Sequence, residues 1–141
     1  MKQKFKELYI DIAERVSEMS SAKRMKAGCI IVKDNQIISL GYNGTPSGWD
    51  NNCEDEVDGK LVTKPEVLHA EMNAVSKLAK STMSGDNAAM FITHSPCMEC
   101  AKLIYQSGIK QVFYKHEYRS DDGKNFLTKS GIQVEILNDR R

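Results

Sequence analysis

A pair of cysteines separated by two residues, Cys97 and Cys100, is the feature of this chain most suited to chemistry. Ser95 is predicted to cap a helix that begins at Pro96, so that both thiols share one face of its first turn. The positive end of the helix dipole stabilises thiolates there. Two thiolates on one face can bind one soft metal ion, and Zn²⁺ is the usual occupant.

A third ligand must come from elsewhere in the chain, and His69 is the candidate. One histidine and two cysteines leave one position of a tetrahedral zinc open to water, which is typical of catalytic sites. Bound zinc lowers the pKa of water to about 7. Glu71 lies two residues after His69 and can move protons from that water to a ring nitrogen and a leaving amine. The pattern H-x-E followed by P-C-x-x-C is the established signature of zinc deaminases.

Two other interpretations of the cysteine pair remain open, a redox pair and half of a zinc ribbon. A ribbon needs a second closely spaced pair, and neither Cys29 nor Cys53 has a cysteine two or three residues away. Cys29 lies in an apolar segment and is predicted to be in the core. Cys53 lies in a polar segment and is predicted to be a free thiol. The upstream His69 and Glu71 therefore favour a catalytic zinc.

Apolar spacing predicts the elements that position these side chains. Residues 4–19 repeat apolar side chains every three or four positions, which indicates a helix. Asp34-Asn35 is predicted to be the tight turn of a hairpin. Residues 43–65 are rich in Gly, Pro, Asn and Asp and are predicted to be a long loop. The remaining predicted elements are strands at 27–33, 36–42, 88–93, 111–115 and 132–137 and helices at 68–80, 96–106 and 125–130.

The order of these elements is α-β-β-α-β-α-β-α-β, and the alternation in the second half predicts a mixed sheet with helices on its faces. The length of 141 residues predicts a single domain, 1–141. With 20 basic and 19 acidic side chains the net charge is +1, which argues against nucleic acid as a partner. No apolar run has the length of a membrane helix, and the N-terminus lacks the apolar stretch of a signal peptide. The expected location is the cytoplasm, or the host cytoplasm for a viral protein.

Two further segments carry a family resemblance, Gly41-Tyr-Asn-Gly-Thr-Pro-Ser-Gly48 and Ala101-Lys-Leu-Ile-Tyr-Gln-Ser-Gly-Ile-Lys110. Together with the zinc motif, they resemble the cytidine deaminase superfamily and, more narrowly, the deoxycytidylate (dCMP) deaminases. The resemblance covers roughly residues 20–137. The zinc motif fits the whole superfamily, whereas the glycine-rich segment is the part that resembles dCMP deaminases.

The resemblance implies a three-layer α/β/α sandwich around a five-stranded mixed sheet. It implies one catalytic Zn²⁺ per subunit, held by His69, Cys97 and Cys100, with Glu71 as the proton shuttle. The implied reaction is the hydrolysis of dCMP to dUMP and ammonia at the C–N bond of a cyclic amidine. This reaction supplies the precursor of dTMP.

The resemblance also implies substrate and effector sites. Asn43 is expected to hold the deoxyribose or base, Tyr118 to line the nucleotide pocket, and Lys80 to bind the 5′-phosphate in a neighbouring subunit of a homo-hexamer. Activation by dCTP and inhibition by dTTP are expected, with Mg²⁺ accompanying the triphosphate. The candidate effector residues are Lys23, Arg24 and Gly44. A second, structural zinc is not expected, since the 43–65 loop contains no histidine.

Alternative functions stay open at this stage. A deaminase of free cytidine or deoxycytidine would not need phosphate-binding residues such as Lys80, which by itself is equally an ordinary surface lysine. A nucleic-acid deaminase would need a basic channel with aromatic residues, and the aromatic content is 7%. A zinc-binding nucleotide sensor without catalytic activity would have no need of Glu71. The roles of His94 and of the charged pair Lys23 and Arg24 are likewise open.

Overall fold

The chain forms four helices and seven strands within residues 1–137, the part that this computed structural model describes. The last four residues of the predicted domain lie outside it. In the same part, no helix is both long and apolar enough to span a membrane. The helices are α1 (Gln3–Ser17), α2 (Ala70–Leu78), α3 (Met98–Gln106) and α4 (Asp122–Lys129). The strands are β1 (Gly28–Lys33), β2 (Gln36–Tyr42), β3 (Glu54–Val57), β4 (Lys60–Thr63), β5 (Ala89–His94), β6 (Gln111–His116) and β7 (Gln133–Ile136).

The main sheet contains five strands in the order β2-β1-β5-β6-β7. β1 is antiparallel to both β2 and β5, whereas β5, β6 and β7 run parallel to one another. The parallel strands are connected through α3 and α4, as crossover connections require. The predicted mixed five-stranded sheet is therefore confirmed.

Successive side chains of β5 point to opposite faces of the sheet and build two separate cores. On one face, Phe91 packs with Tyr9 of α1 and stacks on Phe113, with ring centroids 4.7 Å apart. On the other face, Met90 and Ile92 pack with the apolar residues of α2, α3 and α4. One helix on one face and three on the other give the predicted three-layer sandwich.

The predicted loop over residues 43–65 contains a second, two-stranded sheet, so that the prediction of a loop without regular structure was wrong there. β3 and β4 pair in antiparallel fashion around Asp58 and Gly59, whose φ angles are 51° and 77°. Positive φ at both central residues is the hairpin turn that Asp-Gly favours, so this dipeptide was a usable signal. Acidic residues in β3 hid its strand character. By contrast, the hairpin turn predicted at Asp34-Asn35 is confirmed, with φ of 51° and 59°.

The predicted start of α3 was also wrong. Cys97 and not Ser95 is the N-cap, in extended conformation with φ −72° and ψ 170°, and the helix begins at Met98. The Ser95 hydroxyl instead accepts a hydrogen bond of 2.7 Å from the backbone N–H of Tyr118. A contact with a distant segment therefore replaced the local cap, and Cys97 adjoins the first turn instead of belonging to it. The predicted end is confirmed, since Gly108 follows the C-cap with φ of 86°.

Gly28 lies where β1 passes under α1. A Cβ atom at this position would be 2.2 Å from the Ala13 carbonyl oxygen and 2.5 Å from the Ser17 backbone nitrogen. Because backbone atoms cannot move aside as a side chain can, we expect Gly28→Ala to lower the free energy of unfolding by about 1–3 kcal/mol. Urea denaturation measures the change. Gly44→Ala is the control, since no atom lies within 4 Å of a Cβ there, and equal losses in the two variants would contradict this explanation.

Candidate metal centre and its cavity

The ends of two helices bring the three predicted ligands together. His69 is the N-cap of α2, Cys97 is the N-cap of α3, and Cys100 is the third residue of α3. The His69 Nδ1 atom lies 3.3 Å from the Cys100 sulfur and 3.5 Å from the Cys97 sulfur. The three donor atoms lie within 4.8 Å of one another, although 28 residues separate His69 from Cys97.

This donor set fits a zinc ion. Tetrahedral zinc, with bonds of about 2.3 Å to sulfur and about 2.0 Å to nitrogen, places those two atoms roughly 3.6 Å apart. The two nitrogen–sulfur distances of 3.3 and 3.5 Å are close to this value. Among residues 1–137, no fourth histidine, cysteine or carboxylate joins the group. Cys100 is buried while His69 is exposed, so the cluster is accessible from one side.

The two thiols have opposite acidities. A hydrogen bond from Cys100, assisted by one from His69, lowers the pKa of Cys97 to about 4. The same bond to Cys97, together with burial, raises the pKa of Cys100 well above that of an ordinary thiol. The hydrogen bond with Cys97 also raises the pKa of His69. Cys97 and Cys100 thus share one proton, and a divalent cation is what allows both sulfurs to be thiolates.

Glu71 is the second residue of α2 and is buried, with 7% of its surface exposed. Burial raises the pKa of its carboxyl group to about 7. A carboxyl group in this range both accepts and donates protons near neutral pH, as acid–base catalysis requires. Since its charge also acts on His69, the carboxyl group lies close to the predicted ligands.

A cavity of about 450 Å³ opens beside this cluster, and His69, Glu71 and Cys97 form part of its wall. The size is typical of a site for a small molecule. Two arginines, Arg24 and Arg119, line the same cavity and can bind an anion. The arrangement therefore places proton-transfer chemistry and positive charge in one site.

The structure places Asn43 and Tyr118 in the wall of this cavity. The Asn43 side chain accepts a hydrogen bond of 2.8 Å from the Ala27 backbone N–H and donates one of 2.8 Å to the Met25 carbonyl. An amide has two N–H donors and two lone pairs, so one donor and one acceptor of Asn43 remain for a ligand. The substrate roles of Asn43 and Tyr118 stay predictions.

The other predicted binding residues do not share one site. Arg24 lines the metal-centre cavity, whereas Gly44 lines a second cavity of about 460 Å³, and Asn43 borders both. Lys23 is exposed and lines neither of these two cavities. Lys80 is exposed beyond the end of α2 and is likewise outside both. Their roles as effector and phosphate ligands stay predictions.

The charged residues of the cavity wall that sequence reasoning missed include Glu54 and Arg119. Glu54 lies in an acidic stretch and is buried, whereas the next two residues, Asp55 and Glu56, are exposed. Nothing in the neighbouring sequence distinguishes the buried acid from the two exposed ones. Arg119 directly follows Tyr118, so its position was available as a signal. His94, whose role was left open, is also in the wall. Burial and, to a smaller extent, the charge of the nearby His116 lower the pKa of its imidazole.

Comparison with known families gives one match that covers most of the chain. The family described as the cytidine and deoxycytidylate deaminase zinc-binding region matches residues 3–116. The matched segment includes the three predicted metal ligands and Glu71.

Individual proteins are similar over most of this chain. The dCMP deaminase of cyanophage S-TIM5, whose crystal structure is in complex with dCMP and dUMP, has 50% sequence identity and a TM-score of 0.92. That match covers 97% of this chain and 99% of the phage chain. The deoxycytidylate deaminase of Enterobacteria phage T4 is 32% identical over 89% of this chain and 86% of its own length. ComE operon protein 2 of Bacillus subtilis is 36% identical over 82% of this chain, which spans only 62% of that relative.

Proposed function

This chain belongs to the cytidine and deoxycytidylate deaminase family, and we propose that it hydrolyses dCMP to dUMP and ammonia. The observation that carries the proposal is the convergence of His69, Cys97 and Cys100 beside a cavity whose wall contains His69, Cys97 and the buried Glu71. The similarity to the S-TIM5 dCMP deaminase supports the choice of substrate. The product dUMP then supplies dTMP synthesis.

The residues of the site have separate roles in the reaction. His69, Cys97 and Cys100 would hold zinc, which supplies Lewis-acid activation of water near neutral pH. The Glu71 carboxylate takes a proton from the attacking water and delivers protons to N3 of the base and to the departing amine. Its burial excludes bulk water from this transfer.

Phosphate recognition is assigned to the basic residues of the cavity wall. The Arg24 guanidinium donates a hydrogen bond of 3.0 Å to the Thr63 hydroxyl, and its remaining N–H groups are available to an anion. Arg119 lies over the ring of Tyr118, with 5.5 Å between the guanidinium carbon and the ring centroid. Lys80 of a neighbouring subunit can add to this charge in an oligomer.

Because the cavity contains this charge, we expect dCMP to exceed deoxycytidine in kcat/KM by roughly 100-fold or more. A cytosine-containing oligonucleotide is expected to react no faster than deoxycytidine. Ammonia release from the zinc-loaded protein measures all three rates. Similar rates on dCMP and deoxycytidine would contradict the phosphate assignment, and turnover of the oligonucleotide alone would contradict dCMP as the substrate.

We also propose that dCTP activates and dTTP inhibits the enzyme, with Mg²⁺ accompanying the triphosphate, and that the chain assembles as a homo-hexamer. Support for an effector site comes from the second cavity, which is lined by Gly44 and shares Asn43 with the metal-centre cavity. Of the other predicted effector residues, Arg24 supplies positive charge in the metal-centre cavity. Repeating the dCMP assay with each triphosphate tests the regulation, and sedimentation tests the assembly.

A further inference from the structure

The two carboxylate oxygens of Glu54 have different surroundings. Glu54 begins β3, lines the metal-centre cavity and has only 5% of its surface exposed. Its Oε2 atom accepts hydrogen bonds from two backbone N–H groups, 2.9 Å from that of Lys23 and 3.1 Å from that of Arg24. Its Oε1 atom is buried and has no hydrogen-bond partner among the described residues.

A buried acceptor without a donor is destabilising and uncommon in folded proteins, so the Oε1 atom needs a partner. The Arg24 guanidinium does not supply this partner, since it donates a hydrogen bond to the Thr63 hydroxyl, at 3.0 Å. Oε2 is sufficient to hold the hairpin against residues 23–24. Because Glu54 lines the cavity, its unpaired oxygen points to a ligand that donates a hydrogen bond.

The chemistry of the proposed substrate identifies this donor. At neutral pH, dCMP has N–H or O–H donors at only two places, the exocyclic amine and the 3′-hydroxyl group. The amine is the leaving group and must lie beside Glu71 and the metal ligands. We propose that the Oε1 atom of Glu54 accepts a hydrogen bond from the 3′-hydroxyl group of the bound deoxynucleotide, an inference that rests on the proposed function.

The substitution Glu54→Gln separates this role from the structural one. Glutamine has a single side-chain oxygen, and the backbone N–H groups of Lys23 and Arg24 both require it as their acceptor. The amide NH₂ group then occupies the position of Oε1. The 3′-hydroxyl group would then accept a hydrogen bond from this neutral amide instead of donating one to a charged carboxylate, so the interaction is weaker while the attachment of the hairpin is kept.

The experiment compares kcat/KM for dCMP with that for 2′,3′-dideoxy-CMP, which lacks only the 3′-hydroxyl group. The zinc-loaded wild-type protein is expected to prefer dCMP by roughly 10- to 100-fold, and Glu54→Gln is expected to reduce this ratio to a few-fold or less. Glu56→Gln removes the same charge from an exposed position of the same strand and should keep the wild-type ratio. Thermal unfolding of both variants tests whether the fold is retained.

The outcomes separate this proposal from the proposed function. A wild-type protein that deaminates both nucleotides equally well would overturn the role of Glu54, even if the variant failed to fold. An unchanged ratio in a folded Glu54→Gln protein would overturn it as well. Absence of any dCMP turnover in the zinc-loaded wild type would instead refute the proposed function, and this proposal with it.

Discussion

Glu71→Gln is expected to lower the rate of ammonia release from dCMP by about 10²–10⁴-fold, the usual contribution of acid–base catalysis. Glutamine keeps the size and polarity of the side chain but cannot take up a proton from water or deliver one to the base. Because Glu71 is not among the three grouped metal donors, the variant should still contain one zinc per chain. A single-turnover assay and metal analysis of the same preparation measure both quantities.

The matched control for this substitution is Glu99→Gln. Glu99 lies in the first turn of α3, between the two cysteines, but its side chain is 70% exposed and pairs with Lys102 at 3.0 Å. The control should retain nearly full activity. If Glu71→Gln remained as active as the control, a different group would have to be the proton shuttle.

Cys100→Ser is expected to remove zinc and activity together. Cys100 is fully buried and lies 3.3 Å from the His69 nitrogen, and a hydroxyl group is a poor substitute for a thiolate on zinc. Even residues that only support the ligands change metal affinity by 10–100-fold, so loss of a ligand should lower it by at least about 100-fold. Metal analysis after dialysis against a weak chelator measures the loss.

Cys53→Ser provides the comparison, because Cys53 is also buried, at 1% exposure, but does not belong to the three-donor group. This variant should keep its zinc and turn over dCMP. Complete removal of zinc from the wild type with a strong chelator should abolish activity, and added Zn²⁺ should restore it. Retention of zinc and activity by Cys100→Ser would exclude Cys100 as a ligand.

Local patterns predicted most of the sandwich because its elements carry strong periodic signals. The apolar spacing of residues 4–19 was sufficient for α1, observed at Gln3–Ser17. The hairpin of β1 and β2 was predicted from an apolar segment, the turn residues Asp34-Asn35 and a second strand-like segment. The β3–β4 hairpin was missed because its strands are short and largely exposed, so that no alternation of apolar and polar residues marks them.

The start of α3 shows where local rules fail. Ser95 has the ideal chemistry for an N-cap, yet its hydroxyl group bonds to Tyr118, 23 residues away. Ser95 does favour an N-cap position, but the hydrogen bond from the Tyr118 backbone N–H occupies its hydroxyl group instead. Cys97 consequently takes the N-cap position, 3.5 Å from the His69 nitrogen.

The sequence by itself determined the kinds of donor atom and their spacing, and so predicted that His69, Cys97 and Cys100 form a zinc site with Glu71 as the proton carrier. Only the tertiary structure decided that these donors converge, that Arg24 lines this cavity while Gly44 lines another, and that Glu54 is buried beside exposed acids. Residue type and short-range spacing are local properties of the chain. Burial and distance between segments depend on how the sheet and its helices pack, which no short stretch of residues encodes.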